Sequence, residues 1–113
     1  MEISEAVGTL SALAQECRLK VFRLLVRCGA EGISAGAIAD ELAVPHNTLS
    51  THLGILARAK LVNARKVGRS VIYTVDLAGT RELLSFLVED CCRGQPQLCG
   101  PLTAPALQDC CET

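Results

Sequence analysis

The sequence predicts a mainly α fold carrying one small β-hairpin, and three observations carry that expectation. Apolar residues recur at helical spacing in several separate stretches, one pair of alternating segments flanks a glycine turn, and the aromatic residues are only Phe22, Tyr73 and Phe86. An interior so poor in rings must be built from Leu, Val, Ile and Ala, which suits short packed helices. With 113 residues, half of them apolar, the chain fills one domain of ordinary size.

Leu10, Leu13, Ala14, Cys17, Val21, Leu24, Leu25 and Cys28 follow the i, i+3, i+4, i+7 rhythm, so the spacing predicts one amphipathic helix over 10–28. Cys17 and Cys28 then point inward as small core hydrophobes, and Gly29 and Gly32 mark the stop. Ser34 can cap a short helix through Leu42 that buries Ile38 and Leu42. Ala43 and Val44 leave room only for a tight turn before Pro45, whose fixed φ and missing N–H suit the first turn of the next helix. Leu49, Leu53 and Leu56 form its inner stripe. At 100° per residue, Asn47, Thr51, Gly54 and Arg58 lie opposite, flanked by Thr48 and Ser50.

Residues 62–67 and 70–75 read as two strands joined at Gly68-Arg69, with Val71, Tyr73 and Val75 alternating along the second. Asp76 or Thr80 can begin a last helix. Its Leu83, Leu84, Phe86, Leu87 and Val88 spread around much of the circumference, which predicts packing on its own domain and on a second copy of the chain. Domain organisation follows: a folded unit over 1–92, and a loosely ordered tail over 93–113 rich in Gly, Pro, Gln and Thr.

The formal net charge of -1 hides a segregated pattern, because no acidic residue occurs between Glu41 and Asp76. That gap holds Arg58, Lys60, Arg65, Lys66 and Arg69 with both histidines, His46 and His52, a footprint for a polyanion. Two short helices joined by a tight turn, the second polar outside and small at its N-terminal end, make a helix-turn-helix with a mechanism. Asn47, Thr48, Ser50, Thr51 and His52 can approach base edges without excluding the helix from the major groove of double-stranded DNA. His52 reads either as a DNA-side or as a packing histidine. Arg58, with Arg65, Lys66 and Arg69 on a wing beside the groove, would grip phosphates and supply salt-dependent affinity. The plainer alternative for the hairpin is a soluble one whose charges guard its edges. An enzymatic function is not expected, since the sequence has no Cys-x-x-Cys motif, no phosphate-cradling glycine loop and no Ser, His and Asp set in a catalytic context.

Five of the seven cysteines fall at the C-terminal end, as Cys91-Cys92, Cys99 and Cys110-Cys111. Cys91, Cys92 and Cys99 flank a stretch containing Gly94 and Pro96 and can converge on one thiophilic ion. A disulfide staple is the alternative, but adjacent cysteines bridge poorly and an odd total leaves a thiol over. No charged leader or membrane-length apolar stretch is present, so a cytosolic protein with reduced thiols is expected.

Helix, helix-turn-helix, basic hairpin and terminal helix together resemble the ArsR/SmtB family of winged-helix metal-sensing repressors. The resemblance covers nearly the whole domain. It is most specific in Cys17-Arg18-Leu19-Lys20-Val21-Phe22-Arg23-Leu24-Leu25, in Thr48-Leu49-Ser50-Thr51-His52-Leu53 with Leu56 and Leu61-Val62, and in Lys66-Val67-Gly68-Arg69-Ser70-Val71-Ile72-Tyr73. It implies a homodimer, formed through the N- and C-terminal helices, that holds an operator shut until an inducer binds. Some family members place a Cys-x-Cys pair near the first helix of the helix-turn-helix, where residues 33–42 contain no cysteine; zinc and cobalt or nickel sensors use Asp and His on the terminal helix, where residues 77–90 contain no histidine. Cys91, Cys92 and Cys99 remain, and they look like the C-terminal arsenite site of another branch, for As(III) or Sb(III). Zn(II) would want a fourth ligand, which Cys110 or Cys111 could provide; that pair could also bind a methylated arsenical or be inert. A thiol redox or persulfide switch, a zinc or cadmium sensor, and a metal-buffering tail on an unresponsive DNA-binding domain are the competing readings.

Overall fold

The computed structural model describes residues 1–88; the tail and its five cysteines, with the expected boundary at residue 92, lie outside the described residues. Five helices and three strands follow in the order α1 (Ile3–Leu13), α2 (Glu16–Cys28), β1 (Ile33–Ser34), α3 (Ala35–Leu42), α4 (His46–Arg58), β2 (Val62–Val67), β3 (Ser70–Val75) and α5 (Leu77–Val88). A single 3-10 turn over Gly29–Glu31 joins α2 to β1.

The helix expected over 10–28 is two helices. The chain breaks at Ala14-Gln15, where Gln15 is extended at φ -145° and its side-chain oxygen accepts from the Arg18 N–H at 2.9 Å. A side-chain cap of this kind replaces the carbonyl that a continuous helix would have supplied. Leu10 and Ala14, expected inside, are exposed as a result. Cys17 and Cys28 are half-buried against the core, in keeping with small packing groups.

The remaining elements sit close to where the sequence puts them. Ser34 caps α3, its hydroxyl accepting from the Ala37 N–H at 3.1 Å. Pro45 is the residue just before α4 rather than within it, at φ -58° and ψ 143°. Asp76 opens α5, its carboxylate accepting from the Gly79 N–H at 3.0 Å. Both helices of the helix-turn-helix end alike, with a non-glycine residue in the left-handed region: Ala43 (φ 54°) after α3 and Lys60 (φ 63°) after α4. In each case the following N–H reaches back five residues, Val44 to the Ala39 carbonyl at 3.0 Å and Leu61 to the Leu56 carbonyl at 3.0 Å, the Schellman pattern.

β2 and β3 pair antiparallel without interruption from Val62 opposite Val75 to Val67 opposite Ser70. Gly68 alone takes positive φ in the two-residue loop (62°), as a II′ turn requires of its first position. The sheet has a third member that periodicity could not reveal, because β1 is only two residues long. Ile33 pairs with Tyr73 and Ser34 with Ile72, so β3 is central.

The core joins Val21, Leu24 and Leu25 of α2, Ile38 and Ala39 of α3, and Leu49, Leu53 and Leu56 of α4 to Leu61 and Val62. At about 1.5–3 kcal/mol per fully buried aliphatic side chain, this cluster is the main favourable term holding α4 in place. Outside it, Ile3 and Val7 on α1 and Leu77, Leu84 and Leu87 on α5 stay exposed, so among the described residues both terminal helices carry uncovered apolar surface. No helix among the described residues is long and apolar enough to cross a membrane.

Candidate nucleic-acid interface

Burial of Leu49, Leu53 and Leu56 fixes the rotation of α4 and decides what its other side offers. His46, Asn47, Thr48, Ser50 and Thr51 are all exposed over the first half of the helix. Local hydrogen bonds sort their chemistry. The Asn47 side-chain oxygen accepts from the Thr48 N–H at 3.0 Å, which turns its amide nitrogen outward as a donor. The Thr51 hydroxyl donates to the Asn47 carbonyl at 3.3 Å, which uses its proton and leaves its oxygen lone pairs to accept. With the Ser50 and Thr48 hydroxyls, this row has the donors, acceptors and small volume that base edges accept.

His52 stands apart from that row. Half-buried, its Nδ1 lies 3.3 Å from the Arg18 guanidinium of α2, on the inner side of the helix. Arg58 is exposed, with its guanidinium folded back towards Gly54, 3.9 Å from where a Cβ on that glycine would sit. It also lines a cleft between α1, α4 and α5 with Arg18, Lys60 and Glu82. The predicted contact residues therefore divide into an exposed N-terminal row, one inward histidine and one arginine at the far end.

On the hairpin, Arg65, Lys66 and Arg69 are exposed and, among the described residues, make no salt bridge. Consecutive strand residues point to opposite faces, so Arg65 and Lys66 leave β2 on opposite sides while Arg69 occupies the turn. Lys66 shares its face with buried Val62; Arg65 shares the other with Asn63. The acid-free interval thus maps onto α4, the wing and the corner between them, leaving those cations available to a polyanion. Among the described residues, no group of three or more His, Cys, Asp or Glu comes together to hold a metal ion.

Arg18, which touches both His52 and the end of α1, is not among the interface residues expected from the sequence. Its position was a legible signal, since Arg18 lies three residues before Val21 and seven before Leu25 on the inward stripe of α2, and a cation there needs a partner.

The family model for a helix-turn-helix domain matches residues 9–65, which span α2 to α4 and the start of the wing. The chain belongs to the helix-turn-helix family. It is 32% identical over 84 residues to the transcriptional activator HlyU of Vibrio cholerae, covering 74% of this chain and 75% of that protein. It is thus a transcriptional regulator of the ArsR/HlyU type with a DNA-binding winged helix-turn-helix. A solved structure of that HlyU superposes with a TM-score of 0.64 over 78% of this chain and 95% of its own, and one of the reduced protein with 0.62 over 79% and 90% at 31% identity. The homodimeric winged helix-turn-helix DNA-binding domain of Mb0332 from Mycobacterium bovis, a possible ArsR-family regulator, is 26% identical with a TM-score of 0.62, over 78% and 82% of the two chains. A possible transcriptional regulator for arsenical resistance is 27% identical with a TM-score of 0.61, over 71% and 80%.

Proposed function

We propose that the chain is a homodimeric repressor that leaves its operator when As(III) or Sb(III) binds Cys91, Cys92 and Cys99. The observation that carries this reading is the run of cysteines directly after α5, on a domain whose described residues offer no rival cluster. The neighbour named for arsenical resistance points the same way. Three thiolates suit a trivalent centre with a lone pair. Each thiol displaces one hydroxide from arsenous acid, its proton leaving with that hydroxide as water, so no strong base is needed to activate the sulfur.

DNA recognition in this reading falls to Asn47, Thr48, Ser50 and Thr51 at base edges and to Arg58, Arg65, Lys66 and Arg69 at phosphates. The uncovered apolar surfaces of α1 and α5 meet those of a second copy, which places two α4 helices in successive major grooves, about 34 Å apart. The homodimeric state of the Mb0332 domain supports that arrangement. In this reading the signal passes along α5 to its start, where the Asp76 N–H donates to the Leu61 carbonyl at 2.9 Å, at the corner that follows α4.

Electrophoretic mobility with arsenite titrated under strict reduction tests the assignment. Wild type is released as arsenite rises, and because coupling is reciprocal, DNA weakens arsenite binding by the same factor. A Cys92→Ser protein that lets go of DNA at an unchanged arsenite concentration sinks the arsenite site.

The second reading, a thiol redox or persulfide switch, is favoured by the likeness to HlyU, one of whose solved structures is of the reduced protein. Polysulfide in metal-free buffer would then release DNA and arsenite would not.

A further inference from the structure

We propose that Arg18 and His52 form a bracket that sets the pose of the recognition helix α4 against α1 and α2, making His52 a positioning residue for DNA recognition and not a DNA contact. Each lies on the inward stripe of its helix, Arg18 in line with Val21 and Leu25, and His52 between Leu49 and Leu56. They are the polar members of two otherwise aliphatic stripes, and they meet. Arg18 Nη1 lies 3.3 Å from His52 Nδ1, across the packed pair α2 and α4.

The other end of the guanidinium is also committed. Arg18 Nε donates to the Ala12 carbonyl at 2.6 Å. Ala12 is in the last turn of α1, where carbonyls lack helical partners and a cation is favoured by the helix dipole. Gln15 in turn fixes the start of α2 through the Arg18 N–H. One side chain therefore ties the end of α1 to the middle of α4, and α1 is a helix whose exposed Ile3 and Val7 lie outside the core.

The chemistry of the contact bears on the state of the imidazole. Guanidinium has only donors, so a hydrogen bond between the two is accepted by Nδ1, which the tautomer with its proton on Nε2 allows. Arginine's fixed fork serves both partners at once, which a lysine ammonium does not reproduce. A helix held this way presents Asn47, Ser50 and Thr51 at one angle to the groove. Base-edge hydrogen bonds are lost with small rotations, whereas phosphate contacts by long cationic chains tolerate them.

Asparagine and glutamine separate the possibilities, because Asn places an acceptor near the Nδ1 position and Gln places its polar end near Nε2. The probe is a duplex selected by the wild-type protein from a random pool, with a scrambled duplex for comparison, under reducing metal-free conditions. His52→Asn keeps selected-duplex affinity within about threefold, while His52→Gln and Arg18→Lys each lose about tenfold and leave scrambled-duplex affinity and salt slope unchanged. In an Arg18→Met background the Asn and Gln variants become equal. Retention by Gln with loss by Asn would show Nε2 at the DNA and overturn the proposal. Equal behaviour of the two in the wild-type background overturns it as well. Circular dichroism at the assay temperature accompanies each measurement, and both amide variants keep a polar group at the site so that the comparison is between folded proteins.

Discussion

Replacing Gly79 by alanine tests how tightly α5 is keyed to the recognition helix. A Cβ at Gly79 would overlap the Lys60 carbonyl oxygen and sit 3.0 Å from the Lys60 carbonyl carbon and 3.1 Å from its Cβ. The obstacle is backbone, at a corner pinned by Lys60 N–H to Ala57 carbonyl at 3.1 Å and Leu61 N–H to Leu56 carbonyl at 3.0 Å, so it cannot swing aside. Relief requires α5 to lift, which strains the Asp76 to Leu61 hydrogen bond of 2.9 Å. Overpacking of this kind costs about 1–3 kcal/mol and a lost hydrogen bond about 1 kcal/mol, against a helix-propensity gain of at most about 1 kcal/mol. The net is about 2 kcal/mol of destabilisation. For a domain of this size that lowers Tm by about 10 °C, read by circular dichroism at fixed protein concentration because any self-association makes Tm depend on it. Gly8→Ala is the control, since a Cβ there meets nothing within 4 Å and the substitution favours helix. A Gly79→Ala protein melting within about 2 °C of wild type would refute the reasoning.

On the wing, changing Arg65, Lys66 or Arg69 singly to glutamine lowers the steepness of log affinity against log salt by about one unit for each phosphate contact removed, without altering sequence preference. A substitution that leaves the slope unchanged removes that residue from the phosphate contacts, which tests Arg65 and Lys66 separately because they leave opposite faces of β2. At the uncovered face of α5, Leu87→Glu is expected to convert a sedimenting dimer to monomer and to weaken binding to a twofold operator by at least about tenfold. A wild-type protein that sediments as a monomer at the same concentration would remove the basis for that expectation.

Most of the fold was legible because its signals are local. Leu49, Leu53 and Leu56 announced the inner face of α4, Ser34 and Asp76 marked helix starts, and Gly68 fixed the turn. The split between α1 and α2 was not legible. Apolar spacing runs on through Ala14 and Cys17, and the break depends on Gln15 capping α2, a weak capping residue whose effect needs the neighbouring packing. β1 escaped for another reason: two residues have no period, and their pairing comes from a strand far away in sequence. For the interface, exposure of the Asn47 to Thr51 row follows from the helical wheel alone. The division of Arg65 from Lys66 follows from strand alternation. The meeting of Arg18 and His52 does not, since it relies on two helices approaching in space.

The pairing of β1 with β3 has a consequence for how the DNA-reading element exists at all. Ile33 and Tyr73 are roughly 40 residues apart, and everything between them, including both helices of the helix-turn-helix, forms one loop closed at its neck by that contact. Gly32 makes the closure possible, for at φ 73° a Cβ there would stand 2.5 Å from the Tyr73 carbonyl oxygen. A segment fastened at its base in this way has no independent fold to retreat to. Reader and wing must therefore open and close as one cooperative unit, and a fragment cut to α3 and α4 alone would lose the frame that gives α4 its direction.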